Sequence, residues 1–155
     1  MTEDGRQKTV MKIYLDACCW NRPFDSQAQD RVRLEAEAVL SIIARGRAGE
    51  YVLAGSDAVE FELFRMSDVD KLRKVRSLYS VTSVTLLYTE KTRKRVLSFQ
   101  QQGIRAMDSV HLALAEEYQQ DALLTTDDAF LAAAVRSDAV VRIENPIVWL
   151  MGRMQ

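Results

Sequence analysis

The chain has 155 residues, of which 48% are apolar and 28% charged, and a formal net charge of −1. That length and balance fit a single domain with a full core. They exclude a disordered chain and a strongly basic protein held on nucleic acid by charge alone, and no apolar run reaches the roughly 18–20 residues of a membrane span.

The opening MTEDGRQKTV is polar and mixed in charge. It lacks the apolar stretch of a signal peptide, so residues 1–10 are expected to be a disordered lead-in and 11–155 a single domain, with Met11 as an alternative start. Lys12–Asp16 has the pattern of a short buried strand. Gln29–Arg45 places Val32, Ala36, Val39, Leu40 and Ile43 at helical spacing, with Gly46 and Gly49 at its exit. Tyr51–Ala54 is a second strand. Asp57–Arg65 is expected to be helical with Val59, Leu63 and Phe64 inward. SDVD opens a helix over 67–80. Val81–Leu87 is β-branched and reads as a strand. Thr89 caps a basic helix that Gly103 ends near Gln102. Ser109–Gln119 is the next helix, with Val110, Ala113, Leu114 and Tyr118 on one face. Ala122–Thr125 is a strand, Asp127 or Asp128 opens a helix carrying Phe130, Ala133 and Ala134, Val140–Ile143 is a last strand, and Ile147–Met151 a short tail element.

Strands separated by helices predict an α/β sandwich of three layers around a mostly parallel sheet. Ligands in such folds bind beyond the carboxyl ends of the strands. Three acids stand at junctions that lead there. Asp16 ends the first strand, Asp108 precedes the helix SVHLALAEEY, and Asp127 follows ALLTT. Glu62 or Glu60, after the second strand, is a fourth. Each has an ordinary explanation: Asp108 and Asp127 are good helix N-caps, and the glutamates suit a solvated face. Asp16 is harder to dismiss, because a carboxylate at the rim of a sheet core needs partners. Taken together, clustered carboxylates repel unless a cation joins them. Oxygen donors suit Mg2+ or Mn2+, which points to phosphodiester chemistry.

Four segments, IYLDACCWNRPFD, AGSDAVEFEL, GIRAMDSVHLALAEE and LLTTDDAF, resemble in order and across nearly the whole chain those of PIN-domain ribonucleases related to VapC toxins. The resemblance implies a parallel sheet of about five strands and an acidic cluster binding Mg2+ or Mn2+. It implies metal-binding and catalytic roles for Asp16, Glu62, Asp108 and Asp127, with Thr125 as polar support. Asp128 becomes a helix N-terminal acid or a supporting group, and Glu60 stands in if Glu62 points away. The family usually has Thr-Asn or Ser-Asn after the first aspartate, where this chain has Ala17 and Cys18. Asn21, in an N-R-P turn, is the expected substitute. The family's substrate is RNA, its members are cytoplasmic, many pair with a small antitoxin protein, and dimers are common.

The adjacent Cys18 and Cys19 are too close in sequence for an easy disulfide, which fits a reducing cytoplasm. They lack a second pair for zinc, so they are expected to pack as small apolar groups. A pair with the lone histidine, His111, is the lesser expectation. His111 is read as packed near the edge, orienting at most Asp108 or a water. The basic runs KLRKVR and EKTRKR are expected to be solvated faces. Arg22 and Arg105 are better placed to touch RNA, and Trp20 and Phe24 to stack on bases, while Phe130 is expected in the core. Two other readings stand beside the ribonuclease: a catalytically weak PIN-like module that binds RNA or protein, and an aspartyl-phosphate enzyme with Asp16 as nucleophile. The second lacks the usual aspartate two residues on, where Cys18 stands.

Overall fold

The computed structural model describes residues 10–154, so the expected lead-in lies, but for Val10, outside the described residues. Five parallel strands form one sheet: β1 (Met11–Leu15), β2 (Tyr51–Ser56), β3 (Val84–Leu86), β4 (Ala122–Leu124) and β5 (Ile143–Glu144), in the order β3-β2-β1-β4-β5. β1 is central. Ile13 pairs with Leu53 on one side and Ala122 on the other, which is why Ile13, Tyr14 and Leu15 are wholly buried and why the strand reads as a continuous apolar run.

The connections are α1 (Ala17–Asn21), a 3₁₀ turn at Arg22–Phe24, α2 (Asp30–Arg47), α3 (Asp57–Leu63), α4 (Val69–Tyr79), α5 (Glu90–Gln101), α6 (Ala106–Glu117), α7 (Asp128–Arg136) and α8 (Pro146–Met151). Their starts are written in side chains. Ser56, Asp68 and Asn145 each accept a backbone N–H of the first turn, and Thr89 forms a reciprocal capping box with Thr92. Right-handed crossovers place α2 and α4 on one face of the sheet and α5, α6 and α7 on the other. The expected α/β architecture is thus present.

Four local expectations change. Leu40 is exposed, and Ile42 takes its place beside Val39 and Ile43, because Leu40 falls on the opposite flank of α2. β3 keeps only three residues, since Val81 and Thr82 close the end of α4 through bonds to Leu78 and Tyr79 carbonyls. β5 starts at Ile143, and the Val140 N–H bonds instead to Glu116 Oε2 at 2.9 Å. α6 begins at Ala106, so Asp108 lies within its first turn and is not its cap.

Gly55 in β2 is required by packing. A Cβ there would sit 2.0 Å from the Tyr79 hydroxyl, which accepts the Ser56 N–H at 3.0 Å.

The chain leaves β1 toward β2 and β3, then returns past β1 to β4 and β5. Strand order therefore reverses between β1 and β4, and the carboxyl ends of these two strands flank the crevice where α/β sheets bind ligands.

Candidate active site

Asp16 follows β1 at that crevice. The Asp16 N–H bonds to Leu124 O at 3.2 Å, tying it to the end of β4. Its carboxylate caps α1, accepting the Cys19 N–H at 3.2 Å and meeting Cys18 Sγ at 2.8 Å. It is buried, and among the described residues no lysine, arginine or histidine bonds to it. Burial first, then the neighbouring Cys18, pushes its pKa well above the ordinary carboxylate value. Cys18 moves the opposite way, to about 5, drawn down chiefly by its hydrogen bond with Cys19, then by Asp16, Thr125 and Thr126. Asp16 and Cys18 therefore titrate as a pair, the acid shifted up and the thiol down.

Glu62 reaches the same edge from α3, after the adjacent strand β2. Its Oε1 lies 2.5 Å from His111 Nε2. The other ring nitrogen, Nδ1, meets the Tyr14 hydroxyl at 2.6 Å, and that hydroxyl meets Ser56 Oγ at 2.8 Å. Ser56 Oγ in turn accepts the Val59 N–H at 3.0 Å. A neutral His111 gives one consistent direction. With Glu62 ionised, His111 Nε2–H donates to it, Tyr14 donates to Nδ1, and Ser56 donates to Tyr14. Three buried groups on β1, β2 and α6 thereby aim one glutamate.

Asp108 and Asp127 are joined by Arg105. The guanidinium lies 2.9 Å from Asp108 Oδ2 and 2.7 Å from Asp127 Oδ2. Asp127 also caps α7, its Oδ1 accepting the N–H groups of Ala129 and Phe130. Burial raises Asp127, but these N–H groups and Arg105 outweigh it and hold the carboxyl below the usual range. At Asp108 burial wins over Arg105, and the pKa is raised. Thr125 supports the turn: its Oγ1 accepts the Asp127 N–H at 3.1 Å and lies 3.5 Å from Cys18 Sγ.

The four acids thus share one edge, but each is held differently. Among the described residues the one group of three metal-capable side chains with donor atoms within 4.8 Å of one another is Asp16, Cys18 and Cys19; no three of the four acids meet that closely. The donor chemistry still fits a hard divalent cation at the edge. Asp16 is a buried carboxylate without a basic partner, and Asp108 and Asp127 already bind a cation, the Arg105 guanidinium.

Other candidates sit elsewhere. Glu60 accepts from Tyr79 at 2.9 Å, which leaves Glu62 as the glutamate at His111. Asp128 lies in the first turn of α7 and takes Arg31 with both oxygens, each at 2.7 Å. Arg22 turns to Glu35 and Asp25, and the amide oxygen of Asn21 is buried without a partner. Trp20 is unavailable to bases: it is wholly buried, its Nε1 donating to Leu15 O at 3.1 Å. Phe130 is in the core as expected. Cys19 packs as expected of a buried cysteine, whereas Cys18 is polar in its contacts. Half of the cations in the basic runs are paired, Lys71 with Asp25, Arg73 with Asp70, Arg93 with Glu90, and Arg95 with Glu116 and Asp138.

Sequence reasoning missed the supports. Tyr14 looked like one more apolar strand residue. Glu35, fully buried, accepts from Arg22, Arg31 and Asn145. Its signal is faint but present: a glutamate at a core-facing position, beside Ala36 and Val39, four residues after an arginine.

No family model and no curated protein matches the chain. Solved structures do. PAE2754 from Pyrobaculum aerophilum aligns over 92% of this chain and 88% of its own, at 18% identity and a TM-score of 0.57. VapBC2 from Rickettsia felis, solved bound to a DNA fragment from its promoter, aligns over 87% of this chain and 98% of the matched one, at 13% identity and a TM-score of 0.58. With the five-stranded parallel sheet, its order and its helices, these likenesses show the PIN-like α/β fold.

Proposed function

We propose that the chain is an Mg2+- or Mn2+-dependent ribonuclease. The observation that carries this is the delivery of Asp16, Glu62, Asp108 and Asp127 from separate elements to one edge of the sheet, with Asp16 buried there and lacking a basic partner. These four would hold the ion. When bound, it supplies a charge that polarises phosphate oxygens and lowers the pKa of a water. The chain's own part is positioning. Tyr14 and His111 fix Glu62, Thr125 fixes the turn bearing Asp127, and Arg105 offers a cation that can pass from the acids to a phosphate oxygen as the metal takes its place. One of the carboxylates then serves as general base toward the attacking water.

The toxin of a toxin–antitoxin pair is the biological role we favour. The likeness to a protein solved as a VapBC2 complex supports a small antitoxin partner. RNA is the substrate, and a homodimer is the expected assembly. No described helix is long and apolar enough to cross a membrane.

One observation favours a second reading, a weakly active binding module: Arg105 already neutralises two of the four acids. A cleavage assay separates the two. Mixed single-stranded and structured RNAs are incubated with Mg2+, Mn2+ or EDTA, using wild type, Asp16→Asn and Asp108→Asn. The ribonuclease cuts only with metal and loses activity in both variants. Cleavage in EDTA, or full activity in both variants, refutes it, and RNA binding without cleavage establishes the module.

A further inference from the structure

A hard cation has little use for sulfur, yet Cys18 faces the acidic edge. Its Sγ lies 2.8 Å from Asp16 Oδ1 and 3.5 Å from Thr125 Oγ1, and it accepts the Thr126 N–H at 3.4 Å. Cys19 turns the other way, wholly buried, with its thiol on Leu124 O at 3.3 Å. The donor atoms of Asp16, Cys18 and Cys19 all fall within 4.8 Å of one another. The tightest metal-capable cluster at this edge is therefore a mixed one of oxygen and sulfur, centred on a buried carboxylate that no basic side chain neutralises.

We propose that the Asp16–Cys18 turn binds a thiophilic divalent cation, Zn2+ foremost, and that this ion shuts off the hard-metal centre it overlaps. Thiolate donors select zinc, and stability rises from Mn2+ toward Zn2+ at a given donor set, whereas Mg2+ prefers oxygen alone. On binding, any proton held by the Asp16 carboxyl or the Cys18 thiol passes to solvent. The sulfur and one carboxylate oxygen take the ion, and water completes its coordination. No oxidation or reduction is involved. Asp16 is then occupied, so the hard-metal site loses the one of its acids with no basic partner among the described residues. The inhibitory part rests on the ribonuclease reading, but the binding does not.

The test reads binding without RNA. The full chain, reduced and stripped of metal, is titrated with Co2+ while the near-ultraviolet thiolate-to-cobalt absorption is followed, and Zn2+ is then added. Wild type should develop the band and lose it to Zn2+. Cys18→Ser should lack it and bind Zn2+ more weakly by at least the roughly tenfold that loss of a mere supporting partner costs. Cys19→Ser should keep it. In wild type alone, Zn2+ should also shield Cys18 from iodoacetamide, as mapped by mass spectrometry, which covers the case of a variant that does not fold. No band in wild type, a band that survives Cys18→Ser, or alkylation of Cys18 unaffected by Zn2+ overturns the site. In the cleavage assay with Mn2+, a slight molar excess of Zn2+ should stop wild type but spare Cys18→Ser, each judged against its own zinc-free rate. Equal inhibition of both overturns the overlap. If no preparation cleaves RNA, the ribonuclease reading fails while the cobalt band still decides the metal site.

Discussion

Asp16→Asn should separate stability from function in opposite directions. Asp16 is buried, and its carboxylate has only the Cys19 N–H and the Cys18 thiol as partners. Burial raises its pKa well above the ordinary value, so at neutral pH the native state carries a penalty, either the buried charge or the proton taken up to remove it. With the site's hydrogen bonds counted, that penalty is about 1–2 kcal/mol. Asparagine keeps the acceptor for Cys19 and is an equally good N-cap, but carries no charge. For a domain of this size each kcal/mol moves the melting temperature by roughly 2–4 °C, so in EDTA the variant should melt about 2–8 °C higher than wild type. Metal should reverse the order. A ligand at one hundred times its dissociation constant adds about 2.7 kcal/mol to a protein that binds it, which raises wild type by roughly 5–11 °C and leaves the variant nearly unmoved. Differential scanning fluorimetry with EDTA, Mg2+ and Mn2+ reads both effects. A variant that melts below wild type in EDTA refutes the buried uncompensated charge, and equal metal shifts in both proteins refute Asp16 as a ligand.

Glu35→Ala strips two guanidinium groups and the Asn145 amide of a wholly buried acceptor; breaking such a pair costs about 3–5 kcal/mol, so thermal denaturation by circular dichroism should show a fall of roughly 6–20 °C. Arg105→Ala frees Asp108 and Asp127 of an exposed ion pair worth about 0.3–1 kcal/mol, and calorimetry should find Mn2+ bound roughly two- to fivefold more tightly; weaker binding would mean that Arg105 organises the acids for the metal. Tyr14→Phe leaves His111 Nδ1 buried without its donor, a loss of about 1–3 kcal/mol in urea unfolding, accompanied by slower cleavage because Glu62 loses its aim. The reactive form of Cys18 is the thiolate, which is lost as pH falls through about 5, so its alkylation should be flat near neutrality and drop around that pH, while an inflection near the ordinary thiol value of about 8.5 would refute the lowered thiol pKa.

The fold was legible because its signals are local and repeated. A continuous apolar run at 13–15 marks a strand buried on both faces, and Ser56, Asp68, Thr89 and Asp127 each announce a helix start through a side chain that bonds two or three residues ahead. Asp16 and Asp127 were visible as carboxylates at strand-to-helix junctions, Asp108 as one beside a helix start, and Glu62 through its place after the second strand. What could not be read was which partner each acid takes, because those partners lie far apart in sequence. His111 meets Glu62 across 49 residues and Tyr14 across 97, and Arg31 meets Asp128 across 97. Arg105 looked like an RNA contact because its sequence neighbour is acidic, but that same proximity made an internal ion pair available. α1 escaped notice because five residues are too few for a periodic pattern, and its start depends on an Asp16 side chain read only as a ligand.

The partners also explain how a chain with a net charge of −1 tolerates four acids at one sheet edge. Each carboxylate is neutralised or hydrogen-bonded by a group from a different element: Glu62 by His111 of α6, Asp108 and Asp127 by Arg105 just before α6, and Asp16 by the thiol and backbone of α1. Two of these three arrangements depend on α6 and the residue before it. A shift of that helix would part Glu62 from His111 and Asp127 from Arg105 while carrying Asp108 with it, whereas Asp16, fixed to β1 and β4, would stay. On the ribonuclease reading, Asp16 would be the acid open to an ion without displacing a basic partner, whereas Asp108 and Asp127 would become available only if Arg105 gave way. The same contrast makes Asp16, and the sulfur beside it, the point at which a competing cation gains most.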